Sequence, residues 1–155
     1  RADITEAAIS SYGVDHMNKI YKKALILNDE IKKETGQDIM ASYKRASNIL
    51  ASELKNNELE LSNTTDPGIF KNDYEKNLLK KINELKKYFI NINKDENYIE
   101  SLNNLAGAKK VIIDFFDNVK VNDEDKNIKK NRLELLQMLC RTFDNYINFS
   151  NIETK

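Results

Sequence analysis

The stretch FFDNVKVNDEDKNIKKNRLELL, from Phe115 to Leu136, decides how this sequence folds. It ends one apolar segment with two aromatic residues and an acid, crosses a short polar turn, and opens a second apolar segment behind an acidic cluster. Acidic side chains are favourable where a helix begins, because they accept from its free N–H groups and interact with its dipole. The stretch therefore predicts a corner between two helices.

Composition favours long helices on both sides of this corner. Of 155 residues, 32% are charged and 40% hydrophobic, whereas only 4 are glycine and 1 is proline. Because Gly and Pro are the residues that interrupt helices, their scarcity indicates few turns. A chain of this length can bury a core without disulfides or metals. We expect residues 1–155 to form one all-α domain, an antiparallel bundle of about five to seven helices.

Apolar residues recur at helical spacing in successive segments separated by turn residues. The residues expected to begin these helices are Asp3, Asp15, Asp38, Asn72, Asp95 and Asp123. Gly13 and Gly36 are expected to end the first and second helices. The fifth helix is expected to continue or kink near Gly107 and to run on to Phe116. The last helix should run past Tyr146. Periodicity is lost from about residue 56 to residue 73, and this is the one connection that we expect to be mobile or to accept an insertion.

Charge and residue types exclude several classes of protein. The 25 basic and 25 acidic residues cancel, so no global field attracts nucleic acid or a membrane, and any RNA site must be local. No apolar run approaches the roughly 18 residues that a membrane span needs. We therefore expect no membrane and no DNA among the partners.

No catalytic or metal-binding pattern is visible. The only histidine, His16, cannot supply the paired Glu-x-x-His motifs of a di-metal bundle. Glycine-rich phosphate loops and nucleophile motifs are absent as well. Cys140 lies within a helical pattern and is interpreted as a small packing residue, in keeping with a reducing cytoplasm. We therefore expect this chain to contain no catalytic residues and no metal ligands, and to bind no cofactor.

The third predicted helix carries the side chains best suited to binding RNA. Its inward stripe consists of Ile39, Tyr43, Ala46, Leu50 and Leu54. A turn of about 100° per residue places other side chains away from that stripe. These are Arg45, Asn48, Ser52 and Lys55, and Lys44 adds a further cation beside them. The fourth helix carries outward lysines (Lys76, Lys80, Lys81, Lys86 and Lys87), which are either a solvated surface or a phosphate-tracking stripe.

Three motifs resemble one family of tRNA synthetase domains. They are the YKRASNIL within GQDIMASYKRASNIL, from Gly36 to Leu50, the FFDNVKV corner, and the acidic turn that leads into NRLELL. In this order they resemble the C-terminal, DALR-type anticodon-binding domain of the bacterial glycyl-tRNA synthetase β subunit. The opening RADI and the terminal FDNYINFSNI are similar to that family as well. At the positions of the Asp-Ala-Leu-Arg tetrad this chain reads Lys126, Asn127, Ile128 and Lys129, so the tetrad is kept only in part.

The resemblance implies a function and partners. It implies a domain that binds the anticodon region of glycine tRNA in the cytoplasm, as a C-terminal piece of a longer β subunit. Glycine activation would occur on a separate α subunit, and ATP and Mg would serve the parent enzyme, with no ligand for them here. The remainder of the β subunit would be a further partner. The alternative from composition alone is a helical protein-interaction module without RNA binding.

The corner contains an arginine that helical geometry places toward the core. Arg132 follows Ile128 by one turn and precedes Leu135 and Leu136 by another. A buried arginine needs a partner, and we expect Asp117, or else Asp114, to pair with it and lock the corner. The other interpretation is direct contact between Arg132 and RNA. The residues expected to form the structural corner are therefore Phe115, Phe116, Asp117 and Arg132.

Arg45 and Asn48 match the family motif while lying off the apolar stripe. We expect them to contact bases or phosphates, unless the third helix is buried on two sides and they form internal hydrogen bonds. The next candidates for RNA contact are Lys129, Lys130 and Arg141, of which Lys130 and Arg141 are expected to face outward. The predicted RNA-binding residues are thus Lys44, Arg45, Asn48, Lys129, Lys130 and Arg141.

Overall fold

The structure is a computed structural model that describes residues 1–12, 17–56, 59–92 and 97–152, without the side chains of residues 8–12 and 17. Its helices are α1 (Ala2–Tyr12), α2 (Met17–Glu30), α3 (Glu34–Asn56), α4 (Asp73–Asn91), α5 (Tyr98–Ala106), α6 (Lys109–Asn118) and α7 (Lys126–Phe143). Short 3-10 helices occupy Pro67–Ile69 and Phe149–Asn151. These ranges contain no β-strand. The prediction of an all-α bundle of about five to seven helices is confirmed.

Helix α7 packs against both α3 and α4. Most of its residues from Asn131 onward are buried, including Leu135, Leu136 and Leu139. It runs antiparallel to α3, because Lys129 near its start pairs with Glu53 late in α3. A helix buried on several sides needs partners for its polar residues. The polar contacts of α7 therefore decide much of the site described below.

Side-chain caps explain where three of the helices begin. Asn72 accepts from the backbone N–H of Glu75 at 3.1 Å, which confirms the predicted start of α4. Asp125 accepts from two N–H groups and begins α7 two residues later than the acidic cluster suggested. Asn97 caps α5. The expected caps Asp15 and Asp95, as well as Gly13 and His16, lie outside the described residues.

Gly36 does not end the second helix, and that prediction was wrong. The residue is buried in the first turn of α3, which begins at Glu34 and not after Asp38. A Cβ atom built on Gly36 would lie 2.2 Å from the carbonyl oxygen of Glu30. This glycine therefore permits the end of α2 to touch the start of α3. Asp38 instead pairs with Lys109 of α6 at 2.8 Å.

Other predicted boundaries move by smaller amounts. Helix α1 begins at Ala2, so Asp3 is not its N-cap but lies in its first turn and pairs with Arg1 at 2.7 Å. Gly107 separates α5 from α6, whereas the sequence predicted one helix that continues or kinks there. Helix α7 ends at Phe143 and not beyond Tyr146. Tyr146 is nevertheless buried, and its hydroxyl donates to the backbone oxygen of Lys23 at 2.9 Å, which ties the C-terminal segment to α2.

Burial follows the predicted stripes with a few exceptions. The α3 stripe is buried from Ile39 to Leu50, whereas Leu54 is 39% exposed. On α4, Tyr74 is 37% exposed. Cys140 is buried, as expected of a packing residue, and burial raises the pKa of its thiol to about 12. Such a thiol stays protonated and unreactive at neutral pH.

The irregular segment from 59 to 72 is anchored on α7. The buried Asn131 accepts from the backbone N–H of Asp66 at 2.7 Å and donates to the Asp66 carbonyl at 3.0 Å. The Thr65 hydroxyl donates to the Asn131 side chain at 2.6 Å. Glu134 accepts from the backbone N–H and the hydroxyl of Ser62. A buried amide and a buried carboxylate therefore satisfy part of its backbone and bond the described part of this connection to the core.

Asp144, the C-cap residue of α7, is half-buried. Its carboxylate accepts from the Phe149 backbone N–H at 3.0 Å and from the Tyr43 hydroxyl at 3.3 Å. Burial raises the pKa of Asp144 to about 6, while the two hydrogen bonds act in the opposite direction. The folded protein therefore holds this proton more tightly than the unfolded chain does. Stability from this group is complete below about pH 4 and is lost as the pH rises through about 6.

Replacing Asp144 with Asn should remove this pH dependence. We expect the stability difference between Asp144→Asn and wild type to grow by about 1 kcal/mol from pH 4 to pH 7, a value reduced for partial solvent screening. Urea unfolding at several pH values measures it. Asp117→Asn, which removes an exposed carboxyl group, is the control. A difference that does not change with pH would show that Asp144 does not titrate in this range.

Candidate nucleic-acid interface

The outer face of α3 presents the polar residues that the sequence predicted there. Arg45, Asn48, Ser52 and Lys55 are exposed, and Lys44 is half-buried. Their positions follow from helical geometry, since they lie opposite the buried stripe. The alternative in which Arg45 and Asn48 are internal hydrogen-bonding residues is therefore wrong. Both side chains can reach a ligand from solvent.

Arg45 is held over an aromatic ring of the corner. Its guanidinium carbon lies 4.4 Å from the centroid of the Phe116 ring. Phe116 in turn packs edge-to-face on the fully buried Phe115, with centroids 5.5 Å apart. Such a cation–π contact at an exposed site contributes about 0.5–1 kcal/mol. Its main effect here is to restrict the rotamers of an otherwise flexible arginine, so that its donors are presented from α3 in a limited set of directions.

The three predicted residues on α7 have different environments. The Lys129 side chain is only 13% exposed and forms a 2.6 Å ion pair with Glu53, so it joins α7 to α3. Lys130 was expected to face outward but is half-buried. It lines a polar pocket of about 470 Å³ beside Thr65 and Asn131. Arg141 is exposed, as expected. Lys44, Arg45 and Asn48 share one helix face, whereas the α7 residues lie on a neighbouring helix.

Arg132 is buried, but its predicted partner was wrong. One terminal nitrogen of its guanidinium lies 3.3 Å from Glu75 of α4, and the other lies 3.4 Å from Asp123. The latter also donates to the backbone oxygen of Lys120 at 2.6 Å. Asp117 is exposed at the end of α6.

The other proposed partner, Asp114, pairs instead with Lys110 at 2.8 Å. The arginine thus locks the corner to α4 through a residue on a distant helix. The geometry around Arg132 is that of a scaffold, and its guanidinium is only slightly accessible, with 6% side-chain exposure.

Three buried polar residues were missed by reasoning from sequence. Glu75 is 0% exposed, and Asn131 and Glu134 are 4% and 7% exposed. A signal for Glu75 was available, because it precedes Leu78 by three positions and Ile82 by seven, on the inward face of α4. Asn131 carries a similar signal, because it precedes Leu135 by four positions. Nothing in the sequence showed that Asn131 and Glu134 bind the irregular segment, which has no periodicity.

The described residues contain no group of three or more His, Cys, Asp or Glu side chains arranged to hold a metal ion. Among the helices within the described ranges, none is both long and apolar enough to cross a membrane.

The family profile of the DALR anticodon binding domain matches residues 39–155, which begin in the first half of α3 and include the corner. The chain therefore belongs to this family, as its motifs predicted.

Its relatives include glycine–tRNA ligase β subunits. The chain is 34% identical over 126 residues to that of Rickettsia prowazekii (strain Madrid E). It is 33% identical over the same length to that of Rickettsia typhi (strain ATCC VR-144 / Wilmington) and 35% identical to that of Rickettsia bellii (strain OSU 85-389). These alignments cover 81% of this chain and 18% of each relative. The chain thus spans under a fifth of the length of the curated relatives that it matches.

Proposed function

We propose that this chain is an anticodon-recognition domain for glycine tRNA and that the outer face of α3 reads the anticodon loop. The observation that carries the proposal is the exposed Arg45 guanidinium held over Phe116. Proteins read single-stranded RNA loops by stacking unpaired bases on aromatic rings or arginine planes and by hydrogen bonds to base edges. An arginine already restrained by a ring is prepared for that role.

Each residue of the face has a distinct part in the proposed mechanism. Arg45 stacks against an unpaired base, or donates to its acceptor edge, from its restrained position. Asn48 lies one turn further along α3, and its amide both donates and accepts, as reading a base edge requires. Lys44 and Lys55 neutralise phosphates on either side. Lys130 and Arg141 remain candidates for phosphate contact, whereas Lys129 leaves the proposed set because its ammonium group is committed to Glu53.

The whole enzyme is part of the proposal as well. Glycine activation with ATP and Mg would take place on a separate α subunit in the cytoplasm, and this domain, attached to the rest of a β subunit, would hold the tRNA. The domain itself needs no cofactor for this role. Its contribution to aminoacylation is selection and positioning of the tRNA.

The proposal is tested by binding of a glycine-tRNA anticodon stem-loop to Arg45→Ala. We expect about a tenfold loss of affinity, corresponding to the roughly 1–3 kcal/mol of one stacked base, with the melting temperature nearly unchanged. Arg45→Lys keeps the charge but not the planar group and should lose most of the same affinity. Fluorescence anisotropy at two salt concentrations measures both variants.

Stem-loops with exchanged anticodons complete the test. They should bind wild type more weakly than the glycine stem-loop does, and Arg45→Ala should discriminate less between the two. A marked fall in melting temperature with affinity intact would instead make Arg45 structural. A chain that binds no tRNA at either salt concentration would favour the protein-interaction module.

A further inference from the structure

A groove runs between the outer face of α4 and the 3-10 helix Pro67–Ile69. Its volume is about 480 Å³. Pro67, Phe70 and Leu79 supply its apolar lining, and Lys76, Lys80 and Lys87 supply cations along it. We call it the α4 groove. Lysines that are merely solvated do not need a groove beside them. The combination of an aromatic lining with basic side chains therefore requires a separate explanation.

The charges of the α4 groove are mostly uncompensated. Within the described residues, Lys80 and Lys87 have no carboxylate within ion-pair distance. Lys76 approaches Asp73 only at 3.8 Å, and both side chains are exposed. The acid of the lining, Glu84, lies 3.3 Å from Lys81. The groove thus presents a positive surface although the net charge of the chain is zero.

The spacing of the lysines follows the helix axis. Lys80 lies four residues beyond Lys76, and Lys87 seven beyond Lys80. At about 1.5 Å per residue, the Cα atoms of these lysines are separated by roughly 6 Å and 10 Å along the helix. A chain of phosphates that runs parallel to α4 can therefore meet successive ammonium groups, as in grooves that track single-stranded nucleic acid.

The wall opposite α4 is held in place before any ligand binds. Asp66 caps the 3-10 helix by accepting from the Gly68 N–H at 2.8 Å. The Asn131 amide holds both the N–H and the carbonyl of Asp66. Pro67 and Phe70, at either end of this turn, therefore need little ordering when they meet a base, which lowers the entropic cost of binding.

We propose that the α4 groove is a second RNA-binding site, which holds the sugar-phosphate backbone of the tRNA outside the anticodon triplet without regard to sequence. Lys80 and Lys87 neutralise phosphates, and Phe70 stacks with one unpaired base. This proposal rests on tRNA being the ligand. It adds a second surface, and no described contact joins that surface to the RNA-binding residues proposed on α3. It assigns affinity to α4 and selectivity to α3.

The test compares Lys80→Ala/Lys87→Ala with Lys22→Ala/Lys32→Ala, which removes two exposed lysines from the α2 region. Binding to glycine tRNA and to an anticodon-exchanged tRNA is measured at several salt concentrations. We expect the groove variant to lose about tenfold in affinity for both tRNAs alike. Its plot of log affinity against log salt should become less steep by about two, because two phosphate contacts are lost. Phe70→Leu should lose affinity with the slope unchanged. The control should bind as wild type does.

The outcomes separate this proposal from the proposed function. If the groove variant binds as the control does while Arg45→Ala is impaired, the α4 groove is a solvated surface and only the anticodon function stands. A loss confined to the glycine anticodon would also overturn the proposal, because the groove would then read sequence. If no tRNA binds, an unstructured RNA of about 12 nucleotides is the remaining probe. Failure of that RNA to bind in a lysine-dependent way overturns the groove as well.

Discussion

Arg132→Met should destabilise the protein by about 3–5 kcal/mol, the usual cost of removing one partner of a buried ion pair. The variant leaves Glu75, which is 0% exposed, without its 3.3 Å counter-charge. It also removes the donor to the Lys120 carbonyl, which fixes the corner. Urea unfolding of the intact chain at neutral pH gives the loss directly. Arg141→Met, an exposed arginine on the same helix, should change stability by no more than about 0.5 kcal/mol.

A double variant measures the coupling between Arg132 and Glu75 apart from the effect of each single substitution. Glu75→Leu/Arg132→Met replaces both charges with apolar groups, and we expect it to recover more than half of the loss. Additive losses in the two single variants, without recovery in the double variant, would mean that Arg132 and Glu75 are not coupled.

Gly36→Ala should cost about 3 kcal/mol, at the upper end of the range for overpacking. An alanine Cβ at this position would lie 2.2 Å from the Glu30 carbonyl oxygen and 2.5 Å from the Cα of Ile31. These are backbone atoms, so α2 and α3 must move apart for the methyl group to fit. Thermal unfolding followed by circular dichroism measures the effect.

Gly107→Ala is the matched control for this substitution. Gly107 lies between α5 and α6 with φ −63°, and an added Cβ would meet the carbonyl oxygen of Asn104 at 3.3 Å as its nearest contact beyond the adjacent residues. We expect its stability to change by less than about 1 kcal/mol, in either direction. Equal losses at the two glycines would indicate a general need for flexibility and would contradict the close contact at Gly36.

Local patterns in the sequence were enough to predict the helices, the corner and the polar face of α3. Helical periodicity depends on neighbours within two turns, and so does the cap at Asn72. For α7 the expected first residue was Asp123, whereas Asp125 is the cap. The same reasoning placed Arg132 toward the core. Spacing could place Glu75 on the inward face of α4, but it could not pair Glu75 with Arg132, because a partner on another helix is fixed by how the helices pack.

The same limit explains the errors at Gly36 and in the site. A glycine between two helical segments either ends a helix or allows a close approach, and only the path of the chain distinguishes the two roles. For Arg45, periodicity predicted exposure, and resemblance to a family suggested a role. Its contact with Phe116 joins α3 to α6, which no local pattern encodes. The α4 lysines were visible from the sequence, whereas the groove beside them depends on the anchored segment.

Because the segment from 59 to 72 is anchored on α7, its folding cannot be completed until α7 has been synthesised. Asp66 binds an amide that lies 65 positions further along the chain, and Ser62 binds a carboxylate 72 positions further along. Contacts so distant in sequence close slowly, because their loop entropy must be lost first. Helices α2 to α6 can begin to pack as they leave the ribosome, but this segment has no partner until α7 follows. Chains truncated before α7 should therefore expose the amides of Ser62 and Asp66 to rapid hydrogen exchange.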